Sequence, residues 1–264
     1  MKIIVVSPMR TGSTWIHELL VFLFRPACKD YVDGIDEAQR IFASHASCVL
    51  KSHTLTAGRL REIGNDVYGV RVLRNYKDSL ISRALYCRYV RPAEGNPNSP
   101  GEDRGIQECK DMDDPAFLNS FLEKCPAVDH WIDEIVAFDS GEFDCTFYYE
   151  MLLHNPLDQL SSWLENSGFA ECAGDRTVEQ ALEECSFLRM RQAHTPGFVG
   201  STGVGRWMEV LDPRVAKALD RRYYERRNSA TGNTQTSGSP RMTGIQGTAA
   251  KPAESTTAGQ AQKA

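Results

Sequence analysis

Three short stretches of this chain carry side chains able to grip and move an anionic group. The first is "VVSPMRTGSTW", residues 5–15. A β-branched run enters a turn that leads into a helical pattern, so backbone amides and the positive end of a helix dipole face whatever the turn encloses. Arg10 adds a full positive charge, Thr11, Ser13 and Thr14 add hydroxyl donors, and Gly12 lets the backbone approach a ligand closely. A capped helix start accounts for one hydroxyl, but not for an arginine and three hydroxyls together. The second stretch is "VLRNYKDSLISR", residues 72–83, with Arg74 where a strand stops and Ser82 eight positions on, within the next helix. That pair can hold one phosphate from two sides. The third is Lys51-Ser52-His53, which brings an imidazole, the side chain best suited to take a proton near neutral pH, to the end of another strand. His17, His45, His130, His154 and His194 have no comparable placement and read as structural.

The elements that must position these residues alternate along the chain. Buried-strand runs are expected over residues 2–7, 48–53, 67–74 and 143–150, and helices over 13–25, 77–90, 156–169, 177–185 and 213–227. Residues 115–138 read as helical, broken near Pro126. Residues 92–114, rich in Pro, Gly, Asn and Asp, read as a loop insertion. Strand–helix alternation predicts an α/β fold: one domain with a central parallel sheet flanked by helices. In such sheets ligands lie beyond the carboxyl ends of the strands, where all three stretches fall. The domain is expected over residues 1–227. Residues 228–264, Gly, Ser, Thr, Ala, Gln and Pro with almost no large apolar side chains, are expected to form a disordered tail.

Composition excludes several classes. The net charge of −5 gives no global attraction to nucleic acid or anionic membrane, although a basic site can exist locally. The longest apolar stretch, "IHELLVFLF", is too short to span a bilayer. The N-terminus leaves no room for a signal peptide, which points to the cytoplasm. The eight cysteines stand singly, with no C-x-x-C pair, so neither a disulfide framework nor a zinc site is expected.

Taken together, "SPMRTGSTW", "VLKSH" and "VLRNYKDSLISR" resemble the sulfotransferases that use 3′-phosphoadenosine 5′-phosphosulfate (PAPS). In that family a P-[KR]-[ST]-G-[ST]-T-[WL] loop binds the 5′-phosphosulfate, an R-N-x-K-D-x-x-x-S segment binds the 3′-phosphate, and K-[ST]-H brings the catalytic histidine. "FYYEMLLHNPLDQL" is similar to the family's Y-E-x-L-x-x-x-P segment, whose tyrosine lies by the adenine. The resemblance covers roughly residues 1–210 and implies a P-loop-like sulfotransferase fold. It implies that Arg10, Thr11, Gly12, Ser13, Thr14, Trp15, Arg74, Ser82, Tyr149, Gly205 and Arg206 hold the donor, with Trp15 open between stacking on adenine and a place in the core. His53 becomes the general base, with Arg10 and Lys51 stabilising charge on the leaving 5′-phosphate. No metal is implied.

The chain departs from the family at two places. Arg10 stands where lysine is common, which keeps the charge. Gly200, Ser201 and Thr202 stand where the family has R-K-G ahead of Gly205 and Trp207, so a clamp on the 3′-phosphate is missing there, with Arg206, or Arg189 and Arg191, as its replacement. Two alternatives stay open at this point: a P-loop phosphotransferase or kinase, against which stands the absence of G-x-x-x-x-G-K-[ST], and a non-catalytic nucleotide-binding protein of the same fold. The acceptor, a small-molecule, carbohydrate or lipid-like hydroxyl and less readily an amine, falls to the expected loops over 28–46, 86–116 and 190–204. Among these, Glu102, Asp103, Arg104, Asp111 and Asp113 make the 92–114 stretch polar.

Overall fold

The computed structural model describes residues 1–90, 114–193 and 204–231. Five strands among them, β1 (Lys2–Val6), β2 (Cys28–Tyr31), β3 (Cys48–Ser52), β4 (Tyr68–Leu73) and β5 (Cys145–Tyr148), form one sheet in the order β2-β3-β1-β4-β5. Every pairing is parallel, as strand–helix alternation predicts. The crossovers carry α1 (Ser13–Phe24), α2 (Ile35–Ser44), α3 (Ala57–Ile63), α4 (Tyr76–Leu85), α5 (Asp114–Lys124) and α6 (Ala127–Asp139). After β5 follow α7 (Tyr149–His154), α8 (Pro156–Asn166), α9 (Val178–Glu184), α10 (Phe187–Ala193), α11 (Trp207–Val210) and α12 (Pro213–Ala230). None of the described helices is long and apolar enough to cross a membrane.

Alternation along β1 sends Ile3 and Val5 to one face of the sheet and Ile4 and Val6 to the other. The first face packs on α1, α8 and α9 through Leu19, Leu23, Leu160, Trp163 and Ala181. The second packs on α2 through Ala38, Ile41 and Phe42. A further core joins α4, α5, α6 and α12 around Leu80, Phe121, Trp131 and Leu219. With both faces covered, β1 is buried almost end to end, which is why it reads as an unbroken apolar run.

Several boundaries differ from expectation. Residues 28–46, expected as a loop, form β2 and α2. β2 is an edge strand with exposed side chains, so "CKDY" shows no buried period. The helix expected over 77–90 is α-helical only to Leu85 and then widens into a π-helical turn, Tyr86–Val90. β5 stops at Tyr148 because Tyr149 opens α7. Pro126 separates α5 from α6, as expected of a residue that cannot donate within a helix. α12 runs to Ala230, past the expected domain edge at 227. The rest of the expected tail, the polar 92–113 stretch and Gly200 to Thr202 lie outside the described residues.

Candidate active site

β1 and β3 are in register with Val6 opposite Ser52, so Ser7 and His53 leave the sheet side by side. The ladder continues one step further, Ser7 N–H donating to the Ser52 carbonyl at 3.3 Å. His53 Nδ1 lies 2.9 Å from the Ser7 carbonyl oxygen. A carbonyl only accepts, so Nδ1 carries the proton and Nε2 keeps its lone pair. Burial, reinforced by the charge of Lys51, lowers the His53 pKa to about 4, so the ring is neutral at physiological pH.

Lys51, two residues before His53, donates to Thr14 Oγ1 at 2.8 Å and thus sits at the N-terminus of α1. Burial lowers its pKa to about 8, with Glu18 opposing the shift and Arg10 adding to it. Within the loop the Thr11 hydroxyl donates to the Pro8 carbonyl at 3.0 Å and closes the turn, and Ser13 is buried at the helix start. Arg10 and Gly12 both adopt positive φ, 69° and 97°. Only glycine takes this region freely, and a Cβ on residue 12 would lie 2.4 Å from Cδ2 of Tyr149.

Arg10 turns toward α4. Its Nε donates to Ser82 Oγ at 3.4 Å and its guanidinium lies 4.9 Å from the Tyr86 ring centre, on the π-helical turn. Arg74, at the end of β4, donates to the Arg10 carbonyl at 3.4 Å and lies 4.7 Å from the Tyr149 ring centre. Two guanidiniums, one serine and two tyrosine rings therefore meet at one place. Burial, and next to it the neighbouring charge of Arg74, lower the Arg10 pKa, with Tyr86 countering. Two guanidiniums held this close make the spot locally positive.

The structure thus links Arg10, Gly12, Arg74, Ser82 and Tyr149 by direct contacts, ties Lys51 to Thr14 at the start of α1, and sets His53 against Ser7 at the neighbouring strand end, with Thr11 and Ser13 buried in the loop between. Trp15 faces elsewhere: its Nε1 donates to the Cys185 carbonyl at 3.0 Å, and its ring packs 4.7 Å from Phe187 inside the core. Arg189 pairs with Glu184 at the surface. Gly205 and Arg206 belong to a segment tied to α4 by a residue that sequence reading passed over. The buried Asp78 carboxylate accepts from Gly205 N–H at 2.8 Å and from Trp207 N–H at 3.1 Å. Lys77, paired with Asp220 at 2.8 Å, lies 3.8 Å from the Trp207 ring centre. The signal for Asp78 was present in its place in the first turn of α4, but its partners lie more than a hundred residues away in sequence.

Cationic side chains at the start of a helix, with a neutral imidazole at the next strand end, suit in-line transfer of an anionic group to a nucleophile that gives up its proton. No curated protein matches the chain by sequence. Among solved structures, mouse sulfotransferase SULT7A1 complexed with PAP superposes with a TM-score of 0.60 at 17% identity, over 88% of this chain and 85% of that one. A retinol dehydratase in complex with androsterone and the inactive cofactor PAP superposes with a TM-score of 0.52 at 13% identity, over 85% of this chain and 80% of that one. At these identities the likeness is one of fold. The family model for the sulfotransferase domain matches residues 1–232, and by that match, over a fold whose strand ends carry this site, the chain belongs to the sulfotransferase family.

Proposed function

We propose that this sulfotransferase takes PAPS as donor and passes its sulfuryl group to a hydroxyl of a small-molecule acceptor, with His53 as general base. The observation that carries the reading is the His53 Nδ1 contact with the Ser7 carbonyl, which holds a neutral imidazole beside the anion loop with Nε2 available. The acceptor O–H proton passes to Nε2, the acceptor oxygen bonds to sulfur, and the bond from sulfur to the 5′-phosphate oxygen breaks with its electron pair staying on the phosphate. Lys51, Arg10 and the amides opening α1 stabilise the charge that gathers there. Arg74 and Ser82, with Arg10 beside them, supply the grip on the 3′-phosphate, and Tyr149 borders the nucleotide. Gly205 and Arg206 flank that grip on the segment held by Asp78. Trp15, turned into the core, is left out of the nucleotide contacts.

The working compartment is the cytoplasm, supported by seven thiols among the described residues, all unbridged. The test of the donor is thermal stabilisation by 3′,5′-bisphosphoadenosine (PAP), AMP and Mg-ATP. PAP is expected to stabilise most. Stronger stabilisation by Mg-ATP would replace this reading with a phosphotransferase.

A further inference from the structure

We propose that Cys28 and Cys48 form a redox-sensitive pair, which a low-molecular-weight disulfide oxidises to a reversible bond stapling the edge strand β2 to β3. The proposal stands apart from the donor and acceptor readings.

The sheet register carries it. Cys28 opens β2, Cys48 opens β3, and the two are direct partners in the parallel pairing. Registered residues on neighbouring parallel strands point to the same face. Both side chains accordingly pack in the cluster that Ile4, Leu50 and Phe42 form on the α2 side. Adjacent strands lie about 4.8 Å apart, inside the roughly 4.4–6.8 Å between Cα atoms that a disulfide spans. The backbone holds both residues in place, Cys28 N–H donating to the Ser47 carbonyl at 3.1 Å and Cys48 N–H to the Met1 carbonyl at 3.0 Å. The Cys48 thiol has only long contacts to give up, 3.7 Å to the His45 carbonyl and 4.0 Å to that of Ile41. Among the seven described thiols no other two are strand partners.

The two thiols differ in access. Cys48 is fully buried, whereas Cys28 is half-buried at the sheet edge and is the point of entry. Its thiolate attacks one sulfur of oxidised glutathione, the glutathione S–S bond breaks, and one glutathione thiolate leaves. Cys48 then loses its proton to water and attacks the Cys28 sulfur of the mixed disulfide, and the second glutathione leaves as thiolate. Two protein thiols are oxidised to one disulfide, and one glutathione disulfide is reduced to two thiols. The second step is the slow one, because the Cys48 sulfur is shut away from water. In a reducing compartment such a bond is transient, made under oxidant and undone by thiols.

The bond has a definite structural effect. β2 pairs only with β3 and exposes Lys29, Asp30 and Tyr31. The registered pairs run from Cys28–Cys48 to Tyr31–Lys51. A bond at the first pair closes the chain around α2 and lies about 10 Å along the strands from Lys51. It restricts the unfolded chain and the opening of β2, and puts no new bond on Lys51 or His53.

The experiment incubates the full chain with oxidised glutathione, unfolds it in iodoacetamide to cap the remaining thiols, and maps its peptides by mass spectrometry without reductant. A peptide joined through Cys28 and Cys48 is expected, and its loss after dithiothreitol. Tm is expected to rise by about 5–10 °C, the scale of closing a loop of roughly 20 residues in a chain of this size, and to stay unchanged in Cys28→Ser treated alike. Cys48→Ser is expected to stop at the mixed disulfide, with glutathione held on Cys28. Exposed Cys172 shows that the oxidant has acted. Recovery of Cys28 and Cys48 as capped thiols while Cys172 carries glutathione overturns the proposal. So does either cysteine bridged to a third thiol, or a Tm that stays or falls when the Cys28–Cys48 bond forms.

Discussion

The ring of Tyr149 occupies the space that any side chain on residue 12 would need, with Cδ2 of the tyrosine 2.4 Å from the Cβ position of Gly12. The contact joins the loop before α1 to the first residue of α7, so the two walls of the proposed nucleotide site are set by one close approach. Gly12→Ala therefore meets both a positive φ of 97° and an aromatic ring. The expected cost is about 1–3 kcal/mol from backbone strain, with a similar cost from overpacking if Tyr149 cannot move. Thermal unfolding and PAP titration check it. Native stability together with native PAP affinity would show that the loop and Tyr149 are not coupled.

Arg74 and Ser82 are assigned to the phosphate that distinguishes PAP from AMP. A hydrogen bond to a charged group is worth about 1.5–3 kcal/mol, so Arg74→Ala is expected to weaken PAP binding by roughly 10- to 150-fold while leaving AMP binding nearly unchanged. Ser82→Ala is expected to do the same more weakly. Equal loss for both nucleotides would move these residues away from the 3′-phosphate.

Asp78 holds the backbone of residues 205 and 207 from inside the fold. Asp78→Ala leaves two amides without their acceptor, at about 1–3 kcal/mol for each that stays buried. Amide exchange at Gly205 and Trp207 is expected to quicken, and PAP affinity to fall, without a matching change in the exchange of β1. Unchanged exchange at those two amides would contradict this anchoring role.

The pH dependence follows from two depressed pKa values. His53 titrates at about 4 in the folded protein, below its ordinary value near 6.5. Between those values the unfolded chain holds more protons, so this group makes stability fall as pH drops from about 6.5 toward 4. In the folded protein His53 is unprotonated above about 4, so no acid limb in kcat/KM is expected near 6.5. Lys51 titrates at about 8, so its positive charge, and its support of the leaving group, is lost above that pH. A kcat/KM profile flat through neutrality and falling above about 8, with the fall removed in Lys51→Arg, is the expected result. An acid limb near 6.5 would show that His53 is less buried in catalysis than in the free fold.

Much of this was legible in sequence because β1, β3 and β4 are covered on both faces and read as apolar runs, and because Arg10, Lys51, His53 and Arg74 sit at or just beyond their ends. β2 was not legible, since an edge strand with exposed side chains leaves no buried period. α2 carried a readable signal in the spacing of Ile35, Ala38, Ile41 and Phe42, which all turn inward or partly so. The core place of Trp15 is one of the two readings its sequence position allowed, whereas the turn of Arg10 toward Ser82 and the reach of Asp78 to Gly205 are tertiary relationships that no local pattern records. The place of Tyr31 beside His53 is likewise a product of the β2–β3 pairing and not of any local pattern.

The account turns on His53, and the most direct measurement is transfer from labelled PAPS by His53→Ala, alongside its stabilisation by PAP. Loss of a general base lowers the rate by about 10²–10⁴-fold, and the nucleotide contacts lie with other residues, so stabilisation by PAP is expected to match the native protein. Transfer within a few-fold of native by that variant would contradict the assignment.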